Sequence, residues 1–119
     1  MLLVDDNVEL AHVLATWLGA AGHEVHHQPS GHDAVLAMAD LRPDAIVTDI
    51  FMAGGNGVEV IARATGLVPR PRIVAMSGGS PIMEAEDCLA VARKAGADVC
   101  LPKPFSPREL VEVLESAER

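Results

Sequence analysis

The chain is short of positive charge: 9 Lys and Arg stand against 17 Asp and Glu, a formal net charge of −8 with a pI near 4.9. A field of that sign repels a phosphate backbone and argues against nucleic acid as a direct partner. Long apolar runs are missing too, since none approaches the roughly 18 residues that span a bilayer. The opening MLLVDD lacks the charged first region of a secretory signal and meets acids at once. Two cysteines, Cys88 and Cys100, are too few for a disulfide framework. Repeats, low-complexity tracts and linkers are absent from the sequence. What is present, 50% hydrophobic and 22% charged residues over 119 positions, can bury a core. These features predict one soluble, cytoplasmic domain over residues 1–119, without a membrane segment.

Short apolar runs alternate with longer stretches of helical period. Strands are expected at Leu2–Asp5, Glu24–Gln28, Ala45–Asp49, Arg72–Ser77 and Asp98–Leu101. Runs such as LLV, AIV and RIVAM lack in-out alternation, which suits strands covered on both faces. Leu10, Val13, Leu14, Trp17, Leu18 and Ala21 form a stripe at three- and four-residue spacing, and Leu110, Val113, Leu114 and Ala117 repeat it. Asp6-x-x-Glu9, Ser30-x-x-Asp33, Asn56-x-x-Glu59 and Ser106-x-x-Glu109 mark helix starts, the last in strict capping-box form. Ser80-Pro81 and Ser106-Pro107 place proline at the first helical position, and Gly22, Gly66 and Gly96 stand where helices should stop. Five β-then-α units predict an α/β fold, doubly wound, with a five-stranded parallel sheet and helices on both faces.

Ligands of such a sheet bind beyond the carboxyl ends of its strands. Here those ends carry Asp5-Asp6, Asp49, Ser77-Gly78-Gly79 and Leu101-Pro102-Lys103-Pro104-Phe105. Each residue alone has an ordinary reading: Asp6 an N-cap, Asp49 a solvated acid, Lys103 a surface lysine, Ser77 a turn residue. Together they conflict. Carboxylates ending strands about 4.8 Å apart repel by roughly 3 kcal/mol per pair at an effective dielectric of about 20. Lys103 offsets part of this, and a divalent ion would balance the rest. Hard oxygen donors favour magnesium, or manganese, over zinc. His23, His26, His27 and His32 cluster in the sequence but match no zinc spacing, and are expected to decorate the second strand and its loops.

The set Asp5-Asp6, Asp49, Ser77 and Lys103-Pro104-Phe105, with Gly57 after Asp49 and Gly96-Ala97-Asp98 before the last strand, resembles the receiver domain of bacterial two-component response regulators. The resemblance spans essentially the whole chain. It implies a CheY-like (flavodoxin-like) strand order of 2-1-3-4-5 and phosphorelay signalling. It further implies that Asp49 accepts a phosphoryl group from a sensor histidine kinase or a histidine phosphotransfer protein. By the same resemblance Asp5, Asp6, Asp49 and the carbonyl of Phe51 would hold magnesium, and Ser77 and Lys103 would contact the phosphoryl oxygens. A cis Lys103–Pro104 bond is also implied. Such a module signals rather than acts as an enzyme, and its output would be a protein contact on the fourth helix, fifth strand and fifth helix. Glu84, Glu86, Arg93 and Lys94 charge that fourth helix. With the chain opening on its first strand and closing after its last helix, either a free-standing receiver or one domain of a longer protein is expected. A phosphatase of the haloacid-dehalogenase type would need an acid where Phe51 stands. A pseudo-receiver, binding independently of phosphorylation, usually lacks one of the acids or the lysine, all of which are here.

Three positions depart from the family's pattern. Ala53-Gly54-Gly55 follows Met52 where proline is usual. Cys100 stands where the family places an aromatic that swings inward, and the chain has no tyrosine. A thiol cannot supply that rotation, so switching is expected to rely on movement of the Ser77-Gly78-Gly79-Ser80 loop and the helix after it. Phe51 is bulky beside the expected phosphoryl group and would hinder attacking water. Phe51→Asn should therefore shorten the phosphorylated state's lifetime in an autodephosphorylation assay; a rate equal to the parent's contradicts this.

Overall fold

The computed structural model describes residues 1–50, 52, 57–77 and 85–116, and of residues 85–89 and 116 the backbone alone. Five strands alternate with five helices: β1 (Leu2–Val4), α1 (Val8–Ala20), β2 (His26–Gln28), α2 (Gly31–Leu41), β3 (Ala45–Asp49), α3 (Gly57–Thr65), β4 (Arg72–Ser77), α4 (Ala85–Ala95), β5 (Val99–Pro102) and α5 (Pro107–Ser116). The strands are all parallel, in the order β2-β1-β3-β4-β5, as the resemblance implied.

Alternation along each central strand feeds two apolar layers. Leu2, Val4, Ile46, Ile73 and Ala75 point to one face and pack with Ala34 and Met38 of α2, Val60, Ile61 and Ala64 of α3, and Ala92 of α4. Leu3, Val47, Val74 and Met76 point to the other and meet Ala11, Leu14 and Leu18 of α1 and Leu110 and Leu114 of α5. This is why the strands read as continuous apolar runs: both faces are covered.

Strand ends shift where another bond takes the backbone. β2 is shorter than expected because the Glu24 carbonyl accepts from the Met1 ammonium at 2.9 Å, and pairing begins with His26 N–H on the Met1 carbonyl. β5 starts one residue late. Asp98 acts as a clasp instead, its carboxylate accepting from Arg70 and from the Ile73 N–H at 2.8 Å. Helix starts mostly follow the predicted caps. Ser30 accepts from Asp33 N–H, and Ser106 and Glu109 form the reciprocal capping box. The first helix is the exception: Asn7, not Asp6, is its N-cap, accepting from Leu10 N–H. Asp5 and Asp6 therefore stand before the helix. The α1 stripe is also wider than the buried face, for Val13 and Trp17 are nearly half exposed (46% and 47%) while Ala11 is buried instead. Asn56, Ser80, Pro81 and Ala117 lie outside the described residues.

One glycine is dictated by close approach. A Cβ on Gly57 would overlap the Asp49 carbonyl and press on the Ile50 Cα, while its N–H donates to the Ile50 carbonyl at 2.7 Å. These are backbone atoms of the strand end that carries Asp49, so they cannot step aside cheaply. Gly57→Ala should destabilise the fold by about 1–3 kcal/mol or more. Gly66→Ala, whose Cβ would meet nothing nearer than 3.5 Å, should change stability far less. Chemical denaturation of both variants checks this, and equal stabilities contradict it.

Candidate functional site

Sheet order sets β1, β3, β4 and β5 side by side, and at their carboxyl ends the residue types change from apolar to polar. Asp5 and Asp6 follow β1, Asp49 and Ser77 end β3 and β4, and Lys103 follows β5. One carboxylate oxygen from each of Asp5, Asp6 and Asp49 lies within 4.8 Å of the others. Among the described residues this is the only such group of potential metal ligands, and the histidines near β2 form none. His26 and His27 lie on β2 with His23 before it, as expected, but His32 lies in the first turn of α2 rather than in a loop, because the helix starts directly after its Ser30 cap.

Lys103 closes the cluster. Its Nζ donates to Asp49 Oδ2 at 2.8 Å and sits 3.6 Å from Asp5 Oδ2. Its backbone N–H donates to the Ser77 carbonyl at 2.9 Å, which ties the ends of β4 and β5 together at this edge. The Lys103–Pro104 bond is cis, as the resemblance implied. Ser77 is buried where it ends β4. Phe51, Gly78, Gly79 and Ser80 fall outside the described residues, as does the side chain of Cys88. Cys100 is half-buried on β5 opposite Ala75, and burial raises its thiol pKa against the pull of Arg93.

The electrostatics are unbalanced. Asp5 is fully buried; its Oδ1 accepts from the Asn7 N–H at 2.9 Å, but its Oδ2 has no hydrogen-bond partner. Burial pushes the Asp49 carboxyl above the usual range, and the Asp5 charge adds to this, against the hydrogen bond and charge of Lys103. Burial alone would lower the Lys103 pKa, but the Asp49 hydrogen bond and the charges of Asp49 and Asp5 outweigh it and raise it. One ammonium is thus shared by crowded acids. A buried oxygen that accepts no hydrogen bond, beside two more carboxylates, is a donor set that fits a hard divalent ion such as magnesium.

A second contact escaped the sequence reading. His27 Nε2 lies 2.8 Å from the backbone carbonyl of Asp5, so one of the histidines read as decoration touches the acid cluster.

The raised Asp49 carboxyl keeps its proton at pH values where the unfolded chain has released it. Without metal, this group's contribution to stability therefore falls as pH rises from the ordinary aspartate value of about 3.9 through the raised one. A cation held by the same oxygens acts in the opposite sense. Magnesium should move the Asp49 titration midpoint, followed by carboxyl carbon NMR, to lower pH; a midpoint that does not move contradicts the assignment of this cluster as a metal site.

Comparison with known proteins identifies the family. Residues 1–115 match the response regulator receiver domain family. The chain is 35% identical over 117 residues to the DNA-binding transcriptional regulator NtrC of Azospirillum brasilense, covering 98% of this chain but 24% of that protein. It is 31% identical over 120 residues to the chemotaxis protein CheY of Thermotoga maritima, covering 100% of this chain and 97% of that one. Among solved structures, the receiver domain of NtrX from Brucella abortus superposes with a TM-score of 0.84 at 28% identity, over 98% of this chain and 95% of that one. The chain thus spans about a quarter of its NtrC relative and nearly all of its CheY relative. Receiver domains are phosphorelay signalling modules that generally bind magnesium and interact with histidine kinases or phosphotransfer proteins. No helix among the described residues is long and apolar enough to cross a membrane. By residues, fold and site together, the chain belongs to the response regulator receiver domain family.

Proposed function

We propose that Asp49 is the phosphoacceptor of this receiver domain, and that residues 1–119 work as a single signalling unit rather than as an enzyme. The observation that carries the reading is the Lys103–Asp49 contact at 2.8 Å inside a cluster of three carboxylates. An Asp49 oxygen attacks the phosphorus of a phosphohistidine on a kinase or phosphotransfer partner. The new P–O bond forms as the P–N bond breaks, and Asp49 becomes an acyl phosphate. Little covalent help is needed in such a transfer; positioning and neutralisation of the phosphoryl oxygens do most of the work.

Asp5, Asp6 and Asp49 would hold magnesium, with the carbonyl of Phe51 as a further ligand. When bound, the ion supplies positive charge to the phosphoryl oxygens and relieves the repulsion among the acids. Lys103 already sits on Asp49 Oδ2 and can follow the charge onto a phosphoryl oxygen. Ser77, joined to Lys103 through the backbone, offers its hydroxyl to another. Output then passes as altered contact with a downstream protein on the α4–β5–α5 surface, where Arg93 and Lys94 are exposed. Direct nucleic-acid binding by these residues is disfavoured by the net charge of −8.

Incubation with acetyl phosphate and magnesium should add the mass of one phosphoryl group, and chelation or Asp49→Asn should abolish it. Persistence of the added mass in Asp49→Asn would overturn the assignment. Repeated turnover of a small phosphoester would support the phosphatase reading instead, and contact with a partner that is indifferent to phosphorylation would support the pseudo-receiver.

A further inference from the structure

The acid pair sits on a length of backbone that β2 holds from the side. At Val4 the ladder pairs β1 with Gln28 of β2 and with Thr48 of β3, and this is the last pair on both sides. Asp5 follows. Its N–H still donates to the Gln28 carbonyl at 3.2 Å, and its own carbonyl accepts from the imidazole of His27 at 2.8 Å. The two residues are 22 apart in sequence, and the contact is partly shielded from water. A carbonyl oxygen can only accept, so the hydrogen is on Nε2 and the tautomer is set by the contact. His27 pairs with Leu3 in the parallel ladder, so the two side chains share a face of the sheet. From there the ring reaches forward by about two residues' rise to the carbonyl of the peptide unit that joins Asp5 to Asp6.

That peptide unit governs the cluster. Asp5 is fully buried, with an Oδ2 that accepts no hydrogen bond and lies 3.6 Å from Lys103 Nζ, Asp6 is exposed, and an oxygen of each lies within 4.8 Å of one of Asp49. Rotation of the intervening peptide would swing them relative to each other. Around it the Gln28 carbonyl on the Asp5 N–H holds the preceding peptide, the Asn7 N–H on Asp5 Oδ1 holds the side chain, and the His27 ring on the Asp5 carbonyl holds the peptide unit itself. Two of these are made by backbone groups that any sequence supplies; only the third depends on the side chain of β2.

We propose that His27 is a positioning residue for the acid cluster, holding the Asp5–Asp6 peptide at the angle that lets both carboxylates serve one cation. The proposal rests on the magnesium-dependent reading of the site given above. Outer partners that orient metal ligands typically change affinity by about 10–100-fold when removed. What matters here is an N–H three bonds beyond Cβ. Glutamine places its amide N–H at that reach, asparagine falls one bond short, and valine, at home in a strand, has no donor.

The test is a titration of the metal-free full chain with magnesium chloride, followed by backbone amide chemical shifts. His27→Val and His27→Asn should each weaken magnesium binding by about tenfold or more, and His27→Gln should stay within about threefold of the parent. A merely structural role in β2 would not separate glutamine from asparagine. Variants that all bind like the parent, or a glutamine variant as weak as the valine one, would overturn the role of His27 while leaving the metal site standing. A parent that shows no magnesium response would overturn the metal reading and this proposal with it.

Discussion

The arrangement depends on like charge held under restraint. Three carboxylates are brought within 4.8 Å of one another at a sheet edge, with one of them fully buried, and a single ammonium is set among them. At strand spacing each carboxylate pair costs roughly 3 kcal/mol at an effective dielectric of about 20, and one lysine cannot cancel that sum. The Asp49 carboxyl is raised chiefly by burial, and the Asp5 charge adds to it. The direct sign of the imbalance is the raised Lys103 pKa, since the acids hold the proton on the amine more tightly than water would, despite burial. A site in this condition favours any added positive charge and, once that is present, tolerates the added oxygens of a phosphoryl group.

Holding such a cluster together requires a frame that does not yield, and the fold supplies it by closing both faces of the sheet. Two apolar layers clamp β1, β3 and β4, whose inner residues are almost wholly buried. Gly57 brings the start of α3 against the Asp49 carbonyl at a distance only glycine allows, and the Lys103 N–H to Ser77 carbonyl bond ties the ends of β4 and β5. The capping box of Ser106 and Glu109 then fixes where α5 begins, four residues beyond Lys103. Lysine has a flexible stem, and its position here is determined by backbone on either side of it more than by its own rotamers.

The central strands and the acid cluster were legible in the sequence for the same reason. Apolar runs covered on both faces leave no alternation to confuse, so Ala45–Asp49 and Arg72–Ser77 appear at their expected limits, and the polar residue that ends each run marks the sheet edge. Legibility failed where several backbone or side-chain partners could satisfy the same group. Asp6 and Asn7 are both good N-caps, and only the fold shows that Asn7 takes the role. The α1 stripe included Val13 and Trp17 because a 3.6-residue period cannot tell a broad apolar face from the narrower one that the sheet covers. His27 was invisible as a site neighbour because nothing in a strand's sequence tells which carbonyl a ring on the next strand will meet. Cys100 is a related case: its departure from the family's aromatic was plain, but its burial beside Ala75 and its relation to Arg93 belong to the sheet.

Three strands that reach the site change character within one residue, Val4 to Asp5, Met76 to Ser77 and Pro102 to Lys103, and β3 turns polar at Thr48-Asp49. The change falls where the ladders run out, and that coincidence has a physical cause. Deep in the ladder a polar side chain must be buried against apolar neighbours, as Thr48 is, its hydroxyl donating to the Asp49 carbonyl, whereas at the last pairs and beyond the backbone itself has N–H and carbonyl groups in need of partners. Polar side chains are therefore cheapest to place at the strand ends and most useful there, as Asp5 demonstrates by taking the Asn7 N–H with one oxygen while the other accepts no hydrogen bond and faces Lys103 at 3.6 Å. The apolar interior pays for this. With the layers on both faces supplying the stability, the edge is left with polar groups that are only partly satisfied, and partial satisfaction is what a site that must gain and lose a charged ligand requires.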